Sequence, residues 1–261
     1  MQNPPLGSPN DCAVTLTNVS HGFGAVPVLS NIDLEVQAGE LVVIVGPSGC
    51  GKTTLLNVLS GHDTSYQGTI KTKGAVRTVY QDDGLFPWLT AAQNIELGLR
   101  EYKEATARKR ERDELLALVR LQEFANHYPH ELSGGMRQRV EIARALAGSS
   151  DILLMDEPFS ALDYQTRLRM RRELSRLIQL RPRTVVFVTH DIEEAAQLAD
   201  RIIVLTERPA RIQCEHRLET PRPRDPMHPE VVQAVSVILQ ELGLEDESRD
   251  AAALNVVWGA N

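Results

Sequence analysis

A lysine, two threonines and three glycines stand at a spacing that suits one chemistry. Residues 46–54 read Gly46, Pro47, Ser48, Gly49, Cys50, Gly51, Lys52, Thr53, Thr54. Glycines let successive backbone N–H groups curl around an anion, and a helix starting at the end of the loop points its positive end at the same place. Lys52 adds a point charge for the β- and γ-phosphates of a nucleotide. The Thr53 hydroxyl suits an octahedral Mg2+ that bridges them. The flanks agree: Leu41–Val45 is short, apolar and β-branched, a buried strand, and Thr54–Ser60 is helical in pattern up to Gly61. Strand, Gly-x-x-x-x-Gly-Lys-Thr, helix is the context that makes a pattern match a phosphate-binding loop.

Two carboxylates extend the chemistry. Asp151–Met155 is an apolar strand that runs into Asp156 and Glu157. Acids at the end of a buried strand are costly unless they serve something. Asp156 is the natural partner of the metal, directly or through water, and Glu157 can orient and deprotonate an attacking water. His190 ends another apolar strand, Thr184–Thr189, and strand ends are where open α/β sheets bind ligands. A structural histidine is an equal reading there. Ser133, Gly134 and Gly135 open a helix whose Val140, Ala143 and Leu146 are spaced for its buried side. Taken alone, that is an ordinary capped helix. Phe23, 23 residues before Gly46, could stack on a base or anchor its loop. Cys50 sits where a helix N-terminus favours a thiolate, though an inert small loop residue is the plainer reading.

These residues need a scaffold. Val14–Val19 reads as an edge strand broken at His21–Gly24, and Val28–Val36 as a second strand, so an antiparallel β unit precedes the loop. Thr69–Ile70 and Val76–Tyr80 are two more short strands. Leu85-Phe-Pro-Trp-Leu-Thr90 is an unusually apolar loop, either a partner surface or satellite core, and Thr90 caps a helix over 91–99. Residues 103–121 are helical, with Leu115, Leu118, Val119 and Gln122 on one stripe and the charge run 108–114 on a solvated face. A helix over 164–179 follows Ser160-Ala-Leu-Asp163. Ile192–Ala199 is helical and Ile202–Leu205 is a final parallel strand. Ile212–Leu218 is strand-like, 220–226 is a proline-rich extended segment, and Pro229–Leu242 is an amphipathic helix with Val231, Val235, Ile238 and Leu242 on one face. Residues 1–12 read as a loose leader without signal-peptide character, and 244–261 as a weakly ordered tail in which Val256–Trp258 could dock back.

Composition narrows the classes. The chain has 261 residues, 28 basic against 35 acidic, for a net charge of −7. That balance disfavours a nonspecific nucleic-acid binder. No apolar run approaches the ~20 residues of a membrane span. Cys12, Cys50 and Cys214 are scattered and odd in number, which gives neither a disulfide framework nor metal spacing and suits a reducing compartment.

The order of these parts resembles the ATP-binding subunit of ABC transporters over about residues 13–243. Gly46–Thr53, Gln81, Leu132-Ser-Gly-Gly-Met136, Ile152–Glu157, Ser160–Asp163 and His190 are similar, in order and spacing, to its Walker A, Q-loop, signature, Walker B, D-loop and switch histidine. The resemblance implies an α/β fold: a P-loop NTPase (RecA-like) core, an N-terminal antiparallel β subdomain and an inserted α-helical subdomain over about 85–148. It implies ATP and Mg2+ as ligands, ATP hydrolysis as the activity, and a head-to-tail dimer in which each ATP lies between one Walker A and the other subunit's signature. Ser133, Gly134, Gly135 and Met136 would then contact ATP in trans. Phe23 would stack on the base, Glu157 would be the catalytic base, His190 would sense the γ-phosphate, and Gln81 would contact Mg2+ and water. Met136 departs from the family's usual Gln, which implies altered contacts rather than lost activity.

Leu85–Thr90, Arg208–Ile212 and Pro221–Pro226 resemble bacterial importers of the nitrate, sulfonate, taurine and bicarbonate group. That implies integral membrane permease subunits contacted near Gln81–Leu89, an extracytoplasmic solute-binding protein, and a peripheral place on the cytoplasmic face of the inner membrane. A soluble ABC ATPase of DNA repair or translation is the alternative. It usually needs a long coiled-coil insert, zinc modules or two cassettes, whereas Gln81–Leu132 leaves room only for a compact helical unit. A P-loop kinase or small GTPase would give residues 132–136 no role.

Overall fold

Three strands made almost entirely of branched apolar residues form the middle of the main sheet. β3 (Leu41–Val45), β7 (Thr184–Val188) and β8 (Arg201–Leu205) are buried at every position. Strands covered on both faces read as continuous apolar runs, and such strands belong to parallel sheets. The computed structural model, which describes residues 12–80, 84–148 and 150–244, bears this out. With β5 (Ala75–Val79), β6 (Ser150–Asp156) and β9 (Ile212–Arg217), the sheet runs β5-β6-β7-β3-β8-β9. All neighbours are parallel except β9, which returns antiparallel to β8. Gln81, residues 1–11 of the expected leader, and residues 245–261 with Val256–Trp258 lie outside the described residues.

A second sheet has the order β2-β1-β4, from β1 (Cys12–Phe23), β2 (Val26–Gln37) and β4 (Tyr66–Thr72). β1 is therefore the central strand and not an edge. It also runs through His21–Phe23 and turns at Gly24. Its alternation is weak because the register shifts on both sides near Asn18, where φ is 51°. Such a bulge resets which side chains face the core. Asp33 Oδ1 accepts from the Asn18 N–H at 2.7 Å and holds the bulge.

The two faces of the main sheet carry different layers. Val42, Ile44, Leu154, Val186, Val188 and Ile203 pack with the β1–β2 hairpin and α1 (Lys52–Leu59). Val43, Val45, Leu153, Met155, Phe187 and Val204 pack with the remaining helices. Those are α2 (Ala91–Glu96), α3 (Ala105–Leu118), α4 (Gly134–Leu146), α5 (Tyr164–Leu180), α6 (Ile192–Leu198) and α7 (Pro229–Glu241). Each fully buried Leu, Ile or Val contributes about 1.5–3 kcal/mol, so two filled faces hold the strand ends firmly.

Between β5 and β6 the chain is helical. Thr90 caps α2 with a full capping box, and a short 3-10 turn at Leu97–Leu99 follows. Buried Asn94 donates to the carbonyls of Phe86, Leu89 and Thr90 and accepts from the Phe86 N–H at 2.8 Å. That one side chain shapes the apolar loop. Leu85 goes to the core, while Phe86 and Trp88 face solvent with ring centroids 5.4 Å apart. On α3 the buried residues are Leu115 and Leu116, followed by Val119. Gln122 is exposed on a 3-10 turn beyond the helix, so it does not share the stripe. On α7, Val231, Ala234 and Ile238 are buried, and Val235 and Leu242 pack at the margin.

Candidate active site

The phosphate loop leaves β3 at Val45 and enters α1 at Lys52. Gly49 and Gly51 have φ of 73° and 123°. At Gly51 a Cβ would lie 2.7 Å from Val28 Cγ1, so conformation and packing both require glycine there. Gly51 is the N-cap of α1 and no side chain caps the helix, which leaves its first N–H groups for an anion. Lys52 is folded back across the loop: Nζ donates to the Gly46 carbonyl at 2.8 Å and the Pro47 carbonyl at 3.0 Å. It is buried, and among the described residues no carboxylate pairs with it. A buried ammonium held by two carbonyls, with no carboxylate at ion-pair distance among the described residues, suits a polyphosphate. The Cys50 N–H donates to the Pro47 carbonyl at 3.2 Å, and its side chain is buried. Burial raises its thiol pKa and outweighs the nearby Lys52 charge, in keeping with the plainer reading of an inert loop residue.

The acids arrive from the end of β6. Thr53 Oγ1 donates to Asp156 Oδ1 at 3.2 Å, joining the phosphate loop to the strand. Burial pushes the Asp156 pKa up. The Thr53 hydrogen bond opposes this, and Glu157 beside it adds to it. A hydroxyl and a carboxylate at this distance are the kind of oxygen donors that would hold Mg2+. Among the described residues no group of three or more His, Cys, Asp or Glu could hold a metal ion.

Glu157 leaves the strand with φ of 44°, unusual for a residue with a Cβ. Its N–H donates to the Val188 carbonyl at 2.9 Å, and its carbonyl accepts from the Ser160 hydroxyl at 2.9 Å. These bonds set the turn that aims the side chain across to the end of β7. There His190 Nδ1 lies 2.9 Å from Glu157 Oε2. A carboxylate oxygen accepts, so Nδ1 is the donor in this contact. His190 is exposed and Glu157 is largely covered.

One chain thus brings together Lys52, Thr53, Asp156, Glu157 and His190. It does not bring Ser133–Met136 to them. Ser133 caps α4, its Oγ accepting from the Met136 N–H at 3.3 Å. Gly134 sits against Leu162, and a Cβ on Gly135 would lie 2.8 Å from Thr166 Cγ2. Among the described residues no hydrogen bond joins 133–136 to 46–54. Phe23 is the last residue of β1 rather than part of a loop. It is 59% exposed, edge-on to His21 with centroids 4.8 Å apart, so it is no core anchor. Sequence reasoning passed over Asp191, which follows the histidine and caps α6 by accepting from the Glu194 N–H at 2.9 Å. Its signal was present: Asp191 and Glu194 have the three-residue spacing of a helix N-terminus.

A parallel sheet with a glycine-rich loop at β3, a lysine on that loop and acids at the neighbouring strand end defines a P-loop ATPase. Comparison with known proteins narrows the class. The family model described as ABC transporter matches residues 29–160, and the chain belongs to that family. It is 42% identical over 237 residues to the aliphatic sulfonates import ATP-binding protein SsuB 1 of Paracoccus denitrificans, covering 90% of this chain and 96% of that protein. It is 43% identical to the spermidine/putrescine import ATP-binding protein PotA of Aliivibrio fischeri, over 77% of this chain and 57% of that one. The dimeric structure of MJ0796, a bacterial ABC transporter cassette, superposes with a TM-score of 0.68 at 34% identity, covering 79% of this chain and 99% of that one.

Proposed function

We propose that this chain is the ATP-hydrolysing subunit of an importer for small anions of the nitrate, sulfonate, taurine or bicarbonate type, acting as a head-to-tail dimer. The observation that carries the dimer is the separation just described. The phosphate loop and the acids form one half-site, while Ser133–Gly135 stand elsewhere on the same chain at a capped helix start whose Ser133 is exposed and whose Gly135 is buried. A relative with a dimeric solved structure supports the arrangement. Sulfonate import in the name of the Paracoccus relative, matched along nearly its whole length, supports the solute class.

In this reading the first N–H groups of α1, together with Lys52, hold the phosphates. Phe23 stacks on the base. Thr53 and Asp156, with Gln81, hold Mg2+, which when bound neutralises charge on the phosphate oxygens. Glu157 accepts a proton from a water whose oxygen attacks the γ-phosphorus as the bond to ADP breaks. His190 holds the Glu157 carboxylate through Nδ1–H and senses the γ-phosphate at the same strand end. Ser133, Gly134 and Gly135 of a second copy complete the cage, with Met136 at its margin. ATP closes the dimer and hydrolysis opens it.

Membrane subunits would receive that motion near Gln81–Leu89. Phe86 and Trp88 are exposed there, beside a cleft of ≈ 310 Å³ lined by Arg77, Phe86, Gly98, Glu141 and Arg144. No helix among the described residues is long and apolar enough to cross a membrane. In this reading the chain works at the cytoplasmic face of a permease served by an extracytoplasmic solute-binding protein. Two experiments test this. Ser133→Arg should keep ATP binding by the single chain and lose both hydrolysis and the ATP-dependent dimer; unchanged hydrolysis would contradict the trans site. Affinity purification from membranes should recover permease subunits, and recovery only with DNA or ribosomes would contradict import.

A further inference from the structure

Arg167 lies on the first turns of α5 and touches two functional loops with one guanidinium. Its NH2 donates to the carbonyl of Leu162, inside the Ser160–Asp163 loop, at 3.2 Å. Its NH1 donates to Asp191 Oδ2, next to His190, at 3.1 Å. One turn on, Arg171 donates to the same Asp191 oxygen, and its Nε donates to Glu194 Oε1 at 3.3 Å. The other Asp191 oxygen accepts from the Glu194 N–H, and the Asp191 N–H donates to Thr189 Oγ1 at 3.0 Å. His190 therefore stands between two residues whose own positions are tied down, while its side chain stays exposed.

The two arginines are not equivalent. Arg171 is almost fully buried and, among the described residues, pairs with α6 and its cap, as a residue that docks one helix on another would. Arg167 is partly exposed and is the one that also reaches the Leu162 carbonyl. The Ser160–Asp163 loop is short and internally bonded: the Ser160 N–H donates to Glu157 and the Leu162 N–H to Phe159. A shift of that loop therefore moves the Leu162 carbonyl as part of a unit that begins at Glu157. An arginine fork is a stiff planar bracket, and it cannot follow one carbonyl without pulling on its other acceptor.

We infer that Arg167 is a positioning residue for hydrolysis: it sets the distance between the Ser160–Asp163 loop and His190, and so keeps His190 against Glu157. This rests on the reading of Glu157 and His190 as the hydrolytic pair. Arg167 touches neither the loop at 46–54 nor the acids, so it should matter for turnover and not for nucleotide binding.

The test is steady-state ATP hydrolysis by the full chain with Arg167→Ala and Arg167→Lys, each in the parent and in a His190→Ala background, with Glu157→Gln as control. A small displacement far from the reacting atoms can cost up to about a hundredfold. Arg167→Ala should lower kcat about tenfold or more with the KM for ATP within about twofold. Arg167→Lys, which can keep one of the two hydrogen bonds, should recover part of the loss. In the His190→Ala background Arg167→Ala should have little further effect, since residues acting through one another are not additive. The His190 ring resonances, assigned by their loss in His190→Ala, should move in the Arg167→Ala NMR spectrum. Full additivity with His190→Ala, an unmoved His190 signal, or a rise in KM alone would overturn the inference. If Arg167→Ala fails to fold, Arg167→Lys carries the same comparisons. Should Glu157→Gln hydrolyse at the parent rate, the fault lies in the hydrolytic pair itself, which separates that failure from this one.

Discussion

The Nδ1 of His190 and the Oε2 of Glu157 lie 2.9 Å apart, although 33 residues separate them in the chain. The contact crosses from the end of β7 to the end of β6. It holds the carboxylate against a ring that is itself exposed. Replacing His190 with Ala should therefore lower kcat about 10²–10³-fold, a usual size for a lost acid–base or orienting group, while the KM for ATP changes by only a few-fold. Lys52→Ala should do the reverse and weaken nucleotide binding itself, by about ten- to a hundredfold for a lost charged hydrogen bond. Nucleotide titration beside initial-rate measurements separates the two.

Asp156 makes a pH-dependent prediction for the nucleotide-free protein. Burial raises its pKa above the ordinary carboxylate value. Folding then favours the protonated form, so the stability the group contributes is present at acid pH and lost as pH rises through the raised value. Asp156→Asn can still accept from Thr53 but bears no charge. Its melting temperature at neutral pH should exceed the parent's, and the gap should shrink towards pH 4. The same variant should lose Mg2+-dependent hydrolysis. A variant less stable than the parent at neutral pH would show that the charge is not a burden on the fold.

Gly51 makes a packing prediction. With φ at 123° and a Cβ 2.7 Å from Val28 Cγ1, Gly51→Ala is strained in backbone and in space. The two costs are about 1–3 kcal/mol each. At about 2–4 °C per kcal/mol, thermal melting should fall by several degrees. Gly24→Ala is the control, because nothing lies within 4 Å of its Cβ and only the positive φ is offended.

Much of this architecture was legible in the residues, and the exceptions have physical reasons. β3, β7 and β8 could be read because strands buried on both faces leave no polar positions. The loop at 46–54 could be read because only a phosphate site needs that spacing. β1 was misplaced at an edge because pairing order is not local: its second neighbour, β4, lies beyond α1. The bulge at Asn18 also blurred the alternation that would have shown its length. Gln122 was put on the α3 stripe because the periodicity continues past the point where Val119 leaves the helix and Arg120 turns to φ of 57°. Asp156 and Glu157 stood out as acids beside an apolar strand. The bond from Glu157 to His190 did not, since it depends on two strands lying side by side. Arg167 looked like one charge among many on α5, and only the folded chain sets it between Leu162 and Asp191.

The account turns on Glu157 as the group that takes the proton from water. The measurement that tests it most directly is single-turnover ATP hydrolysis by Glu157→Gln, paired with sizing of the protein in ATP and Mg2+. Loss of a positioned base should slow the chemical step by about 10²–10⁴-fold while ATP still binds, and the variant should accumulate as an ATP-bound dimer. Turnover at the parent rate, with no such dimer, would contradict the assignment.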